Sequence, residues 1–186
     1  WYTYRDLERA ESGQADSFRF DGNPSDPCAS LGGDLLTCSA GAGIRLFSGN
    51  GVSYINRPAT MSQPVVSAAG KYGIVYDAGG RELYLYTERT ETFSLSLEQG
   101  QTLISAGVNQ HGWLAVVRQE SGCKGAVTVY NGSHRPVMEA RLSSRFVLDA
   151  VPAPDNRSVA VLTVGLSNGT FDCRVDLYRP DRETGG

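Results

Sequence analysis

Four segments of the chain repeat one theme, and their spacing limits the folds open to it. They are Cys28-Ala-Ser-Leu-Gly-Gly-Asp-Leu-Leu, Val66-Ser-Ala-Ala-Gly-Lys-Tyr-Gly-Ile, Ile104-Ser-Ala-Gly-Val-Asn-Gln-His-Gly-Trp and Leu148-Asp-Ala-Val-Pro-Ala-Pro-Asp-Asn-Arg-Ser-Val. Each is a strand of small residues, then a polar or glycine turn, then an apolar strand. The starts at residues 28, 66, 104 and 148 lie 38, 38 and 44 residues apart, the blade length of a propeller with four strands to a sheet. Units of this size cannot bury their apolar faces alone and must stack on one another.

The strands after each turn support that reading. Leu35 to Cys38, Gly73 to Tyr76, Trp113 to Val117 and Val159 to Val164 are near-continuous apolar runs, as expected of strands covered on both faces. Alternating strands follow, Ile44-Arg-Leu-Phe, Glu82-Leu-Tyr-Leu-Tyr, Ala126-Val-Thr-Val-Tyr and Arg174-Val-Asp-Leu-Tyr, whose period of two implies one face against a neighbour and one less buried. More polar strands over Val52 to Ile55, Thr92 to Leu97 and Val137 to Leu142 close three units, as suits an outer edge that must resist stray pairing. Asn50-Gly51, Gly79-Gly80, Asn131-Gly132 and the longer Ser167-Asn168-Gly169-Thr170 supply turn chemistry. The 22 glycines, scattered without a period, fit many turns between short strands rather than long helices.

The expected fold is therefore all-β and β-propeller-like, with four repeats of about 38–48 residues. Its units span residues 28–63, 64–101, 102–145 and 146–179, within a domain of residues 17–179. Residues 1–16 read as a stalk or linker and residues 180–186 as a tail. The fourth unit has no outer strand of its own, whereas Ser17-Phe-Arg-Phe-Asp sits upstream where such a strand would be found. Two arrangements stay open: a closed four-bladed ring in which residues 17–21 complete the last sheet, or the first half of a larger propeller.

The 17 basic and 20 acidic residues give a net charge of -3 and are interspersed, which argues against a nucleic-acid partner. No run approaches the roughly 18 apolar residues of a membrane-spanning helix, so any membrane contact is expected only through an anchor upstream of Trp1. Cys28, Cys38, Cys123 and Cys173 fit no zinc spacing. They read as free thiols or as disulfides, with Cys123–Cys173 and Cys28–Cys38 as the candidate pairs. Neither a metal nor a cofactor is expected.

No catalytic set emerges, and the candidate ligand-binding residues are separate points in the sequence. Asp149 stands on an innermost strand, where Ser67 and Ser105 stand in other repeats, and so either faces the central channel or bonds to backbone between sheets. His111 and Trp113 belong to a turn leading into an apolar strand. With Arg57 and Tyr76 they would mark a binding surface if all four met on one exposed face. A hydrolase or lyase at the channel would require Asp149 to meet a second titratable group such as Asp155 or His111.

Ser67-Ala-Ala-Gly-Lys-Tyr, Asp77-Ala-Gly-Gly-Arg-Glu-Leu-Tyr-Leu-Tyr, Asn109 to Trp113 and Ala126 to Tyr130 resemble the WD-repeat-like and TolB-like β-propellers. The same segments look like an uncharacterised family of Gram-positive, mainly clostridial, proteins with a propeller-like domain outside a membrane anchor. The Gly-His and Trp-Asp signature of true WD repeats is missing, as is a regular Trp in each blade. The resemblance implies an extracytoplasmic, cell-surface domain held by a segment outside this chain. The leading expectation is a non-catalytic binding or sensing module for a protein, peptide or cell-wall glycan. A structural domain completed by self-association, as a homodimer, is the alternative, and an enzyme comes third.

Overall fold

The computed structural model describes residues 17–179; the stalk and tail expected at either end lie outside them. The described residues form fifteen strands in four antiparallel sheets, three of four strands and one of three. The first sheet is β1 (Cys28–Leu31), β2 (Asp34–Ser39), β3 (Gly43–Phe47) and β4 (Ser53–Arg57). The second is β5 (Pro64–Ala69), β6 (Tyr72–Asp77), β7 (Glu82–Thr87) and β8 (Thr90–Ser96). The third is β9 (Thr102–Val108), β10 (Leu114–Gln119), β11 (Gly125–Tyr130) and β12 (Pro136–Leu142). The fourth is β13 (Phe146–Pro152), β14 (Val159–Ser167) and β15 (Thr170–Tyr178). Within every sheet the strands follow chain order.

Sheets stack in sequence, first on second, second on third, third on fourth, with β1, β5, β9 and β13 forming the inner wall. The apolar runs are explained by this stacking. On β6, Val75 enters the core shared with the first sheet, while Ile74 and Tyr76 enter the core shared with the third. β7, whose alternation implied one less buried face, is instead covered on both, with Tyr84 and Tyr86 toward the first sheet and Leu83 and Leu85 toward the third. On β10, Leu114 and Val116 turn toward the second sheet and Ala115 and Val117 toward the fourth. A middle strand with both faces covered has no polar face to alternate with.

The turns depart from expectation in one instructive place. β7 and β8 join through Glu88 and Arg89, both at positive φ, 49° and 65°. That is the geometry of a type I′ hairpin, which Asn-Gly or Gly-Gly ordinarily supplies and which charged side chains rarely adopt. External contacts hold it. Lys71 reaches the Glu88 carboxylate at 3.0 Å, and Arg89 makes two hydrogen bonds to Asp34 of the first sheet, at 2.8 and 3.2 Å.

The stack is open, and Ser17 to Asp21 do not complete the fourth sheet. Phe18 and Phe20 lie instead on Phe47, with ring centroids 5.5 and 5.2 Å away, and Arg45 donates to the Asp21 carbonyl at 3.1 Å. Phe18 also fills the space beside Gly51. These residues cover the outer face of the first sheet. Packing of the two rings on Phe47 withdraws apolar area from water, which favours this placement.

The fourth sheet corrects two further expectations. Val159 to Val164 is covered on one face only: Val159 and Val161 enter the core with the third sheet, while Leu162 and Val164 look outward. On β15 the alternation is inverted. Its exposed apolar residues share a face with Leu162 and Val164, to which Val175 and Cys173 are the cross-strand partners. Asp172 points the other way, to Arg145, which donates to its carboxylate at 3.0 and 3.2 Å.

Candidate functional site

The inner wall is where a propeller would present a channel. Asp149 sits there, and its carboxylate accepts hydrogen bonds from the Ser105 hydroxyl of the third sheet and from the Ala150 amide, the latter at 2.8 Å. The position equivalent to Ser105 in the repeat is thus its partner in space. Asp155, proposed as a second acid, is turned into its own hairpin, where it accepts from the amides of Arg157 and Ser158 at 2.9 and 3.1 Å. The Arg157 amide bond is the main reason its carboxyl lies below the usual range.

The other candidates do not assemble into one exposed surface. Tyr76 is only 6% exposed, in the core between the second and third sheets. Its phenol is pushed above the ordinary value, chiefly by burial and further by the Asp149 carboxylate, with a hydrogen bond to the Ala106 backbone opposing. Trp113 packs against the core shared by the third and fourth sheets. His111 is exposed in the turn, beside Gln110 at 3.3 Å. Arg57 lies over the Tyr84 ring at 4.2 Å and pairs with Glu91 at 2.6 Å. His111 and Trp113 share one turn, Trp113 half-buried and His111 exposed, whereas Tyr76 is in the core and Arg57 lies half-buried on Tyr84 of the second sheet, so the four do not form one surface.

Asn109, at the turn leading to Trp113, organises this rim. It is buried, accepts from the amides of His111 and Trp113 at 2.9 and 3.1 Å, and donates to Ala153 and Asn156 of the fourth sheet at 2.9 and 2.8 Å. Its amide oxygen closes its own turn and its amide nitrogen ties that turn to the hairpin of the fourth sheet. On the same rim, between the first and second sheets, Leu31, Gly32, Asp34, Lys71, Glu88 and Arg89 line a shallow hollow of about 340 Å³. Its charges are matched within the chain, Lys71 with Glu88 and Arg89 with Asp34.

Sequence reasoning missed a buried charge network in the third sheet. Arg118 donates to Glu120 at 2.9 Å and Glu139 at 2.8 Å and also to Thr128; Arg141 reaches Glu120 at 2.9 Å. The hydrogen bond from Arg118 is the largest cause of the lowered Glu139 pKa. Every member is spent on another, so the network fixes β10, β11 and β12 together. Among the described residues no cluster of three or more His, Cys, Asp or Glu is placed to hold a metal ion. No helix among them is long and apolar enough to cross a membrane.

All four cysteines are free thiols, and neither candidate pair forms. Cys28 stands opposite Thr37 in the β1–β2 register, so Cys38, one residue on, projects from the other face of the sheet. There Cys38 is buried with its sulfur 3.7 Å from that of Met61. Cys123 lies beside Glu120 in the third sheet, whereas Cys173 projects from the outer face of the fourth.

Among the described residues, that outer face groups the most exposed large apolar side chains. Leu166, Phe171, Val175 and Leu177 are 67%, 76%, 65% and 69% exposed, and Phe146 and Val151 at β13 are half-exposed. The register puts Leu166 opposite Phe171, Leu162 opposite Val175 and Ala160 opposite Leu177, so they form one continuous surface. The exposed side chains of β14 and β15 on this face amount to on the order of 500 Å², within the roughly 300–600 Å² of the largest patch on a typical monomer, which is often functional. The signal in the sequence was the run Phe171, Cys173, Val175 and Leu177 at period two.

Comparison with solved structures agrees with the stacked sheets. The dihydro-heme d1 dehydrogenase NirN aligns with a TM-score of 0.50 and 16% identity over 87% of this chain and 36% of its own. The β-propeller domain of Cps50 (Swd1) from Myceliophteria thermophila aligns with a TM-score of 0.49 and 12% identity, over 80% of this chain and 56% of that one. Hsv2p of Kluyveromyces lactis gives 0.46 and 11%, over 84% and 61%. The chain thus spans from about a third to three-fifths of these proteins, and at such identity the likeness concerns fold alone. No curated protein matches it. The family of unknown function DUF5711 matches residues 12–183, and the chain belongs to that family.

Proposed function

We propose that this chain is a non-catalytic docking scaffold, an open stack of four propeller-like sheets that binds another β-sheet through the free face of its fourth. The observation that carries the reading is the continuous apolar surface of β14 and β15, whose cross-strand partners are all exposed or half-exposed. In the first three sheets surfaces of this kind are covered by the next sheet in the stack. The same surface on the fourth is built to the same chemistry and has no such neighbour among the described residues.

A binding role rather than catalysis is supported by the disposition of the ionisable groups. Asp149, Asp155, Asp172, Glu120 and Glu139 each accept hydrogen bonds from the chain's own amides, hydroxyls or guanidinium groups. A general acid or base has to turn toward a substrate with a proton to exchange, and these carboxylates are committed to holding strands and turns.

The test is Phe171→Glu in dilute solution. A free docking face predicts an unchanged far-ultraviolet spectrum, a Tm within about 3 °C of the parent, since surface changes cost about 0.5 kcal/mol or less, and weaker binding of a hydrophobic dye. A cooperative loss of structure in this variant, with no dye bound by the parent, would show that the face is interior and end the reading.

A further inference from the structure

We propose that the sheet docked on this face is the same face of a second copy of the chain, related by a two-fold axis. The inference rests on the docking reading above and adds the identity of the occupant.

Three observations lead to it. The exposed side chains of β14 and β15, on the order of 500 Å² from one chain, supply more than half of the roughly 800 Å² that each partner contributes to a standard protein interface. The outward residues of β14 and β15 include no Asp, Glu, Lys or Arg, because the charged residues of β15 all project from the opposite side. Two identical copies of this surface therefore meet without placing like charges against each other, the usual obstacle to self-association. Finally, the outer face of the first sheet is occupied by Phe18 and Phe20. A head-to-tail contact with a second copy would have to displace these rings, whereas the like-to-like contact, the isologous arrangement of most dimers, leaves them in place. Sheets packed in this way lie about 10 Å apart, close enough to withdraw Cys173 from solvent.

Cys173 makes the proposal measurable without any substitution, since both it and Cys28 are exposed thiols in the single chain and only Cys173 lies on the shared face. Absolute mass by light scattering and the rates of alkylation at both thiols are followed over a hundredfold range of protein concentration. The expected result is a rise from 20.0 kDa toward twice that mass, with alkylation of Cys173 slowed at least tenfold and that of Cys28 unchanged. Val175→Glu is expected to restore both the single-chain mass and the Cys173 rate. A chain that stays monomeric with both thiols reactive overturns the second copy as occupant and leaves the docking reading intact. A dimer in which Cys173 still reacts freely, or which survives Val175→Glu, also overturns it, because the contact is then elsewhere. Cys173 protected in a monomer would mean that the face is covered within one chain, and both readings fall.

Discussion

Cys38 shows how a residue with reactive chemistry is taken out of use by its position. Its thiol is buried against Met61, and burial, aided by the charges of Asp26 and Asp77, raises its pKa from 9.0 to about 11. The folded chain therefore keeps this proton at pH values where the unfolded chain has lost it. Stability from this source is complete below pH 9 and declines as pH rises through about 11, by about 2–3 kcal/mol at most. The Tyr86 phenol is pushed up as well, first by burial and then by Glu91, and contributes to the loss from about pH 10 upward. Urea unfolding between pH 7 and 11 should show a falling midpoint above pH 9, and Cys38→Ala should lower stability at pH 7 yet flatten the change between pH 9 and 10. An equally steep decline in the variant would mean that other groups set the alkaline limit. The burial of Cys38 could be anticipated from its place at the end of an apolar strand. Its separation from Cys28 follows from register, which spacing along the chain does not reveal.

Among the strands, the close approach of the third and fourth sheets is set by glycine. A Cβ on Gly107 of β9 would stand 2.7 Å from the Ala150 carbonyl oxygen and 3.3 Å from the Val151 Cα, both backbone atoms. A Cβ on Gly73 of β6 would stand 2.7 Å from a terminal methyl of Leu36 instead. A backbone cannot yield without moving its sheet, whereas a leucine can change rotamer. Gly107→Ala is therefore expected to lower stability by about 2–3 kcal/mol, and Gly73→Ala by about half as much or less, compared by denaturant unfolding. Equal losses would refute the account. At this scale the sequence was informative where both faces of a strand are buried. Runs such as those of β6 and β10 admit few other readings, whereas the period of two in β7 hid its second buried face; the spacing of 38, 38 and 44 residues followed from four stacked sheets. It misled where alternation has two mirror solutions. Arg174-Val-Asp-Leu-Tyr states that one face is apolar, but not which face meets the stack, and Arg145 decided this by drawing Asp172 inward. The Glu88–Arg89 turn was likewise hidden, because its positive φ angles are held by Lys71 and Asp34, residues distant in the chain.

At the scale of the molecule, the stack has two ends that differ in kind. One is closed by Phe18, Phe20 and the Asp21 carbonyl on Phe47 and Arg45; the other presents Phe171, Val175 and Leu177. Neither end was legible from the repeats, because Ser17-Phe-Arg-Phe-Asp has the period of a strand and reads as a completing strand, while its two rings pack on Phe47. Under the proposed pairing, association at one end alone stops at two copies, whereas two open ends permit a head-to-tail series with no natural stop. The cap can be opened without touching the stack's interior by replacing Phe18 and Phe20 together with Ser. This exposes Phe47, and the first sheet's outer face becomes available to the fourth sheet of another copy. Light scattering should then show masses that pass twice the single chain and keep rising with concentration, and adding Phe171→Glu to the uncapped chain should abolish the increase. An uncapped chain that remains folded and never exceeds the parent's mass would show that the outer face of the first sheet is not a docking surface even when bare. The limit on assembly would then lie in the fourth sheet alone, with the phenylalanines serving only to shield the first.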